Sequence, residues 1–345
     1  TVSGAKEGNP FCDQWIKGTF CCKNEKKTVD GFYDGDGTYR VRFMPSFTDE
    51  YTFEIEASFD IKVGEEVPDK EVPEHKLGIA DGGKAAEKCA VRNILTGSFT
   101  VTSPSADNHG PVRVAGTYYL AYEDGTPYHC IGTTCYVWNL QNEELQKQTL
   151  KTLEENAFNK IRFCIFPKHY DYNLHEPITY PYEGTPCDSS VLNENNFAEY
   201  NGCAPGNDWD FTRFNPAHFQ HIEKCIQALM NLGIEADLIV MHPYDRWGFS
   251  MMKAEDDDRY WKYVMTRFSA YRNVWWSLAN EYDLMHEKTL SDWERYAGII
   301  CEKDPYHHLR SIHNCKAYYD YNLPWITHCS IQRTETYRSS ELVNE

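Results

Sequence analysis

The strongest constraint on the fold of this chain is the run Asn273-Val-Trp-Trp-Ser-Leu-Ala-Asn-Glu-Tyr-Asp283. Residues 274–278 are apolar and rich in β-branched and aromatic types, which predicts a strand covered on both faces. At its C-terminal end the polarity changes abruptly, and a carboxylate, Glu281, stands beside an amide, Asn280. A strand covered on both faces belongs to a parallel sheet dressed with helices. In a (β/α)8 barrel the C-terminal strand ends are where catalytic groups gather.

The flanking sequence repeats this unit. Residues 128–138, 159–167, 234–241, 309–314 and 325–332 read as further strands, and 142–156, 216–232, 256–270 and 292–302 as helices between them. Alternation of this kind implies parallel βαβ units. Residues 1–116 have a different period. Strands are expected at 11–20 and 28–32, and Asp34-Gly35 and Asp36-Gly37 supply a tight turn. After it Tyr39, Val41 and Phe43 alternate with Arg40 and Arg42, and Tyr51, Phe53, Ile55 and Ala57 share one face. Residues 62–88, rich in Lys, Glu, Gly and Pro, read as a loop. The expected architecture is a β-sandwich over 1–116, followed over 117–345 by an α/β domain of the (β/α)8 TIM-barrel type.

With these strands in place, Asn280-Glu281 at the end of the fourth barrel strand resembles the glycoside hydrolases of clan A, the cellulase-like superfamily. The run Gly35-Asp-Gly-Thr-Tyr-Arg-Val-Arg-Phe43, followed by Gly97-Ser-Phe-Thr-Val101, resembles the β-sandwich that precedes the barrel in some bacterial glycosidases. The resemblance implies that Glu281 is the general acid/base and that Asn280 binds the sugar 2-hydroxyl. It also implies that Arg162, in Lys160-Ile-Arg-Phe-Cys-Ile165, positions and tunes the nucleophile, and that His242 contacts substrate. In that clan the nucleophile is a Glu ending the seventh strand. Only about six strands can be counted here, so the barrel is expected to be truncated and the nucleophile to lie beyond residue 345. Retention requires the two carboxylates to stand about 5–5.5 Å apart.

Other strand-end residues are candidates for substrate contact: Asn314 beside His313 on the fifth strand, and His328 and Gln332 on the sixth. The long segment 168–215 follows the second strand, so it is expected to cover the same face. Its Tyr170, Tyr172, Tyr180, Tyr182 and Trp209, with Trp138, Tyr244 and Trp247, predict an aromatic wall for sugar rings.

A formal charge of −18 argues against nucleic acid or an anionic membrane as partner. No apolar run approaches the roughly 20 residues of a membrane span. The 13 cysteines follow no framework spacing and read as reduced thiols. With no signal-peptide pattern in view, that favours the cytoplasm, secretion being the alternative. No cofactor is expected, and no metal, because no H-x-x-x-H or H-E-x-x-H spacing falls near the strand ends. The function expected is retaining hydrolysis of a plant or microbial oligo- or polysaccharide. The alternative is a non-catalytic carbohydrate-binding or scaffold protein on a degenerate barrel. Partners expected beyond the carbohydrate are the remainder of the barrel or a second copy of the chain.

Overall fold

The computed structural model of the protein describes residues 1–62, 88–89, 93–170, 173, 175–188, 190 and 204–333. Tyr172, most of the loop expected at 62–88 and the C-terminal segment from residue 334 lie outside them.

The N-terminal part is antiparallel. It comprises β1 (Val2–Ser3), β2 (Ile16–Cys21), β3 (Lys26–Tyr33), β4 (Thr38–Val41), β5 (Glu50–Ala57), β6 (Lys88–Cys89) and β7 (Ile94–Thr100). Among the described residues they form one sheet in the order β1-β4-β3-β2-β5-β7-β6. The expected sandwich takes this form because β3 changes partner. Its first half pairs β2, and from Gly31 it pairs β4. A Cβ at Gly31 would fall 2.5 Å from the Arg40 carbonyl oxygen, so only glycine fits that crossing. The two halves enclose a common core, in which Phe20 stacks on Phe43 at 4.2 Å and Tyr39 packs on Phe59 at 4.1 Å. The strand expected from residue 11 starts later. Pro10–Asp13 is a short helix (α1), with Pro10 at its first position and the Asn9 side chain accepting from the Phe11 amide.

The strands β8 (Val112–Ala115), β9 (Tyr119–Tyr122) and β10 (Pro127–Tyr128) make a small antiparallel sheet. The boundary expected at 116/117 falls in the turn between β8 and β9. Val112 and Tyr128 of this sheet pack against Trp275 and Leu309.

Next comes the parallel sheet: β11 (Gly132–Thr134), β12 (Lys160–Cys164), β15 (Glu235–Met241), β16 (Val274–Ala279) and β17 (Arg310–Ser311), in that spatial order. Each crossover carries one long helix, namely α2 (Glu143–Glu154), α3 (Pro216–Asn231), α4 (Ala254–Phe268) and α5 (Leu290–Lys303). The helix starts follow local chemistry. Asn142 and Asn215 cap α2 and α3, Pro216 opens α3, and Thr289 with Asp292 forms a capping box on α5. Ile161 and Phe163, Leu238 and Val240, and Trp276 and Leu278 join the helices in the main core. The alternate positions Arg162, Asp237 and Trp275 lie side by side in register on the other face.

Three expectations need correction. The first barrel strand is not continuous over 128–138, because Tyr128 belongs to the small sheet and Trp138–Leu140 is a 3-10 turn. The segment 168–215 contains a hairpin, β13 (Tyr182–Thr185) with β14 (Asp208–Phe214). The sixth strand is reduced, among the described residues, to a single parallel bridge between His313 and Ser330 and an amide bond from Thr327 to the Arg310 carbonyl. Among the described residues the parallel sheet therefore has five strands, where about six strands of a truncated barrel are expected from the sequence.

Candidate active site

Glu281 is the residue immediately after β16. Three backbone bonds fix the turn: Asn280 N to the Met241 carbonyl at 3.0 Å, Tyr282 N to the His313 carbonyl at 2.9 Å, and His313 N to the Ala279 carbonyl at 3.1 Å. They tie the ends of β15, β16 and the segment after β17 to one point. Within that turn Glu281 adopts a left-handed backbone, φ 55° and ψ 58°. The conformation is uncommon for a residue with a Cβ and is often found at functional sites.

Its carboxylate is held from three directions. The Tyr244 hydroxyl donates to Oε2, Asn280 Nδ2 donates to the same oxygen at 3.1 Å, and Gln332 Nε2 donates to Oε1 at 3.3 Å. Asn280 is itself oriented. Its Oδ1 accepts from Arg162 at 2.7 Å and from the Tyr136 hydroxyl at 3.4 Å, which leaves Nδ2 to face Glu281. Arg162 also donates to Ser277 Oγ at 2.9 Å and to the Ala279 carbonyl at 3.4 Å. This buried guanidinium thus fastens β12 to the end of β16. Gln332 is clamped by Asn314, whose Oδ1 accepts from the Gln332 amide at 3.1 Å and whose Nδ2 donates to its carbonyl at 3.3 Å. His313 bonds Ser330 Oγ at 3.0 Å and Gln332 Oε1 at 3.3 Å.

Lys168 was not singled out by sequence. Its Nζ lies 3.2 Å from the Tyr136 ring centroid, 4.1 Å from that of Tyr244 and 4.5 Å from that of Tyr170. Burial pulls its pKa down to about 8, against an opposing pull from Cys164 and Glu281. Tyr136 was likewise missed. Burial raises the pKa of the Tyr244 phenol well above its ordinary range, and the bond to Glu281 and its charge add to that, so Tyr244 acts as a donor across the physiological range.

The structure brings Arg162, Asn280, Glu281, Asn314, Gln332 and Tyr170 to one end of the parallel sheet. Other candidates stand apart. The Trp138 ring packs edge-on against Phe163 at 5.7 Å in the main core, away from the Arg162 face of its neighbouring strand. Trp247 is also buried in that core, against Phe249 and Tyr180. Of the residues expected in an aromatic wall, Tyr170 and Tyr244 lie beside Glu281, where Tyr136 joins them, while Trp138 and Trp247 are buried in the main core. His328 packs on Trp275 at 5.5 Å, four residues below Ala279 on β16 and so roughly 13 Å down the strand. Burial lowers its pKa to about 4, and it belongs with the Lys160–Asp237 ion pair rather than with Glu281. His242 follows directly on β15. Its buried ring meets the Phe166 carbonyl at 3.4 Å, and burial together with Lys168 drops its pKa to about 3, so it is neutral.

Among the described residues no group of three or more His, Cys, Asp or Glu could hold a metal ion. No helix there is long and apolar enough to cross a membrane.

Comparison with known proteins shows the family of the chain. Residues 115–340 match the family described as Apiosidase-like, catalytic domain, and the chain belongs to that family. Residues 1–58 match a domain of unknown function. A candidate glycoside hydrolase from Bacteroides vulgatus, known as a crystal structure, is 42% identical with a TM-score of 0.79. The match covers 96% of this chain but 57% of that one, so the chain spans little more than half the length of that relative. A family 5 glycoside hydrolase from the same species is 17% identical, with a TM-score of 0.45 over 64% of this chain and 43% of the other. No protein of curated function matches the sequence. The family match and the 42% identical relative bear out the resemblance to glycoside hydrolases.

Proposed function

We propose that this chain carries the general acid/base of a retaining glycoside hydrolase acting on a plant or microbial oligo- or polysaccharide. One observation carries the reading. Glu281 ends a buried parallel strand in a left-handed turn, and its carboxylate is gripped by Tyr244, Asn280 and Gln332 with Arg162 behind. In this reading Glu281 protonates the departing glycosidic oxygen, then takes a proton from the incoming water. Asn280 binds the sugar 2-hydroxyl while Arg162 fixes its amide. The donors on Glu281 keep the carboxyl in one rotamer, so the proton is delivered along one direction. The ionised nucleophile of this reading is a second carboxylate, which retention places about 5–5.5 Å from the first. The family name points to apiosides as the first substrate class to try. A non-catalytic carbohydrate-binding scaffold is the less favoured reading, because the relatives are named for hydrolysis.

The test uses Glu281→Gln, which keeps shape and hydrogen bonding but removes the transferable proton. On a substrate with a poor leaving group the intact protein should lose about 10²–10⁴-fold in kcat. On an aryl glycoside the first step should lose far less, and azide should partly restore turnover by replacing the activated water. Proton NMR of the first-formed product should show the substrate's own anomer. Wild-type turnover by Glu281→Gln on a natural glycoside would refute the assignment, and an inverted product would refute retention.

A further inference from the structure

Lys168 lies just beyond β12, after Cys164-Ile-Phe-Pro167. Its backbone is pinned: its carbonyl accepts from Asn173 Nδ2 at 2.7 Å, and the next amide, of His169, donates to the Tyr244 carbonyl at 2.9 Å. The side chain is buried at 3% exposure, with the ammonium against the faces of Tyr136, Tyr244 and Tyr170. Among the described residues no oxygen accepts a hydrogen bond from Nζ. Ring faces attract a cation but do not replace three oxygen acceptors. Two of the same rings carry the hydroxyls that reach Asn280 and Glu281, so the amine borders the space that a sugar at Glu281 would fill.

We propose that Lys168 is a specificity-determining residue, donating to a hydroxyl oxygen of the sugar seated at Glu281, other than the 2-hydroxyl assigned to Asn280. This rests on the glycoside-hydrolase reading and adds to it a second point of sugar recognition. An entering hydroxyl supplies the acceptor that the caged ammonium lacks. Any sugar without an oxygen at that position leaves the amine unsatisfied, which is the condition under which a polar site discriminates most strongly. The aromatic faces hold the amine while the site is empty, so little rotamer freedom remains to be lost on binding.

The experiment measures binding by titration calorimetry, with methyl β-D-apioside and its monodeoxy analogues as probes. It uses the intact protein carrying Glu281→Gln, so that turnover does not interfere, with and without Lys168→Met. Lys168→Met should weaken binding of the parent glycoside by about 10–100-fold. One monodeoxy analogue, not the 2-deoxy one, should bind both proteins equally. Lys168→Arg should retain part of the affinity. Between pH 6 and pH 9 the protein retaining Lys168 should lose affinity several-fold as the amine sheds its proton, and the Lys168→Met protein should not. The pKa of about 8 is reached with Glu281 in place, and Glu281→Gln removes a charge that raises it, so the loss falls at lower pH. The groups facing the amine are the three tyrosines, Glu281, Arg162, Cys164 and His242; His242 is neutral throughout this range, and burial holds Tyr136, Tyr244 and Cys164 above their ordinary ranges.

An equal loss across every analogue would mark Lys168 as structural and overturn the proposal. Unchanged binding in Lys168→Met, or no saturable binding at all, would overturn it too. If Lys168→Met does not fold, the pH series on the protein retaining Lys168 and the Lys168→Arg protein still decide. The two readings separate cleanly. Sugar binding with the expected coupling but no hydrolysis by the wild type removes the hydrolase assignment, whereas hydrolysis without the coupling removes only the role of Lys168.

Discussion

At the scale of the residue, Glu281 combines a chemical and a conformational signature. A left-handed backbone costs a residue with a Cβ roughly 1–2 kcal/mol, and glycine avoids most of it. The cost is held in place by the Tyr282 and Leu284 amides, which bond the His313 and Glu281 carbonyls at 2.9 and 3.0 Å. Glu281→Gly should therefore be more stable than Glu281→Ala by about 1 kcal/mol in urea unfolding, while both are inactive. Equal stability would show that the turn is unstrained. Tyr244 provides a milder probe. Tyr244→Phe removes one donor to the carboxylate without opening a cavity, so kcat should fall on the order of 10-fold while stability shifts by less than about 1 kcal/mol. A loss as large as that of Glu281→Gln would give the phenol a direct part in proton transfer.

At the scale of the element, β16 also fixes what lies behind the site. Trp276 Nε1 donates to Asp304 Oδ2 at 3.0 Å, and the His308 amide donates to the same oxygen at 2.9 Å. Burial alone would raise the Asp304 pKa, but His308 and these donors outweigh it and hold it at about 2. A depressed carboxyl contributes stability that is present above its unfolded value, near 3.9, and is lost as pH falls to about 2. That contribution is on the order of 2 kcal/mol. Asp304→Asn should flatten the acid limb of a stability–pH curve between pH 4 and pH 2, and an unchanged limb would assign it to other carboxylates. These elements were also the legible ones. β12, β15 and β16 carry apolar runs, and α2 and α3 announce their starts with Asn142 and Asn215-Pro216, because strand burial and helix capping are local in sequence; α5, expected from Asp292, starts instead at Leu290, behind its Thr289 cap. Glu281, Asn280 and Arg162 were readable for the same reason, as polar residues interrupting or ending such runs. The partner change of β3 at Gly31, the burial of Trp138 and Trp247, and the cage around Lys168 were not. Each depends on which distant segments meet, and residues 136, 168, 170 and 244 come together only through the sheet order.

At the scale of the whole molecule, the N-terminal sheet and the α/β part are joined by buried charge. Arg267 on α4 is fully buried and donates to Asp34 Oδ1 at 2.5 Å and to Glu223 Oε1 at 2.6 Å. Arg42 reaches across to Glu223 and to the Arg267 carbonyl, and Arg40 to Asp34. Burial raises the Asp34 pKa, but Arg267 and Arg40 more than reverse it, so the carboxylate stays ionised. Such a network adds little over a well-packed apolar contact, yet removing one member strands the opposite charges out of water. Arg267→Met should therefore cost about 3–5 kcal/mol. Eight of the nine tryptophans lie after residue 116, so fluorescence reports chiefly on the α/β part, while far-UV circular dichroism sees both parts. In the wild type the two unfolding curves should coincide, because unfolding either part alone leaves the other's buried charges without their partners. In Arg267→Met a circular dichroism change should precede the fluorescence change, as the N-terminal sheet detaches first. Adding Arg42→Met and Glu223→Gln to Arg267→Met should recover part of the loss, since the only charges then left are Asp34 and Arg40, which pair with each other. If the triple variant is less stable than Arg267→Met alone, the network itself stabilises the junction, and the stranded-charge account is wrong.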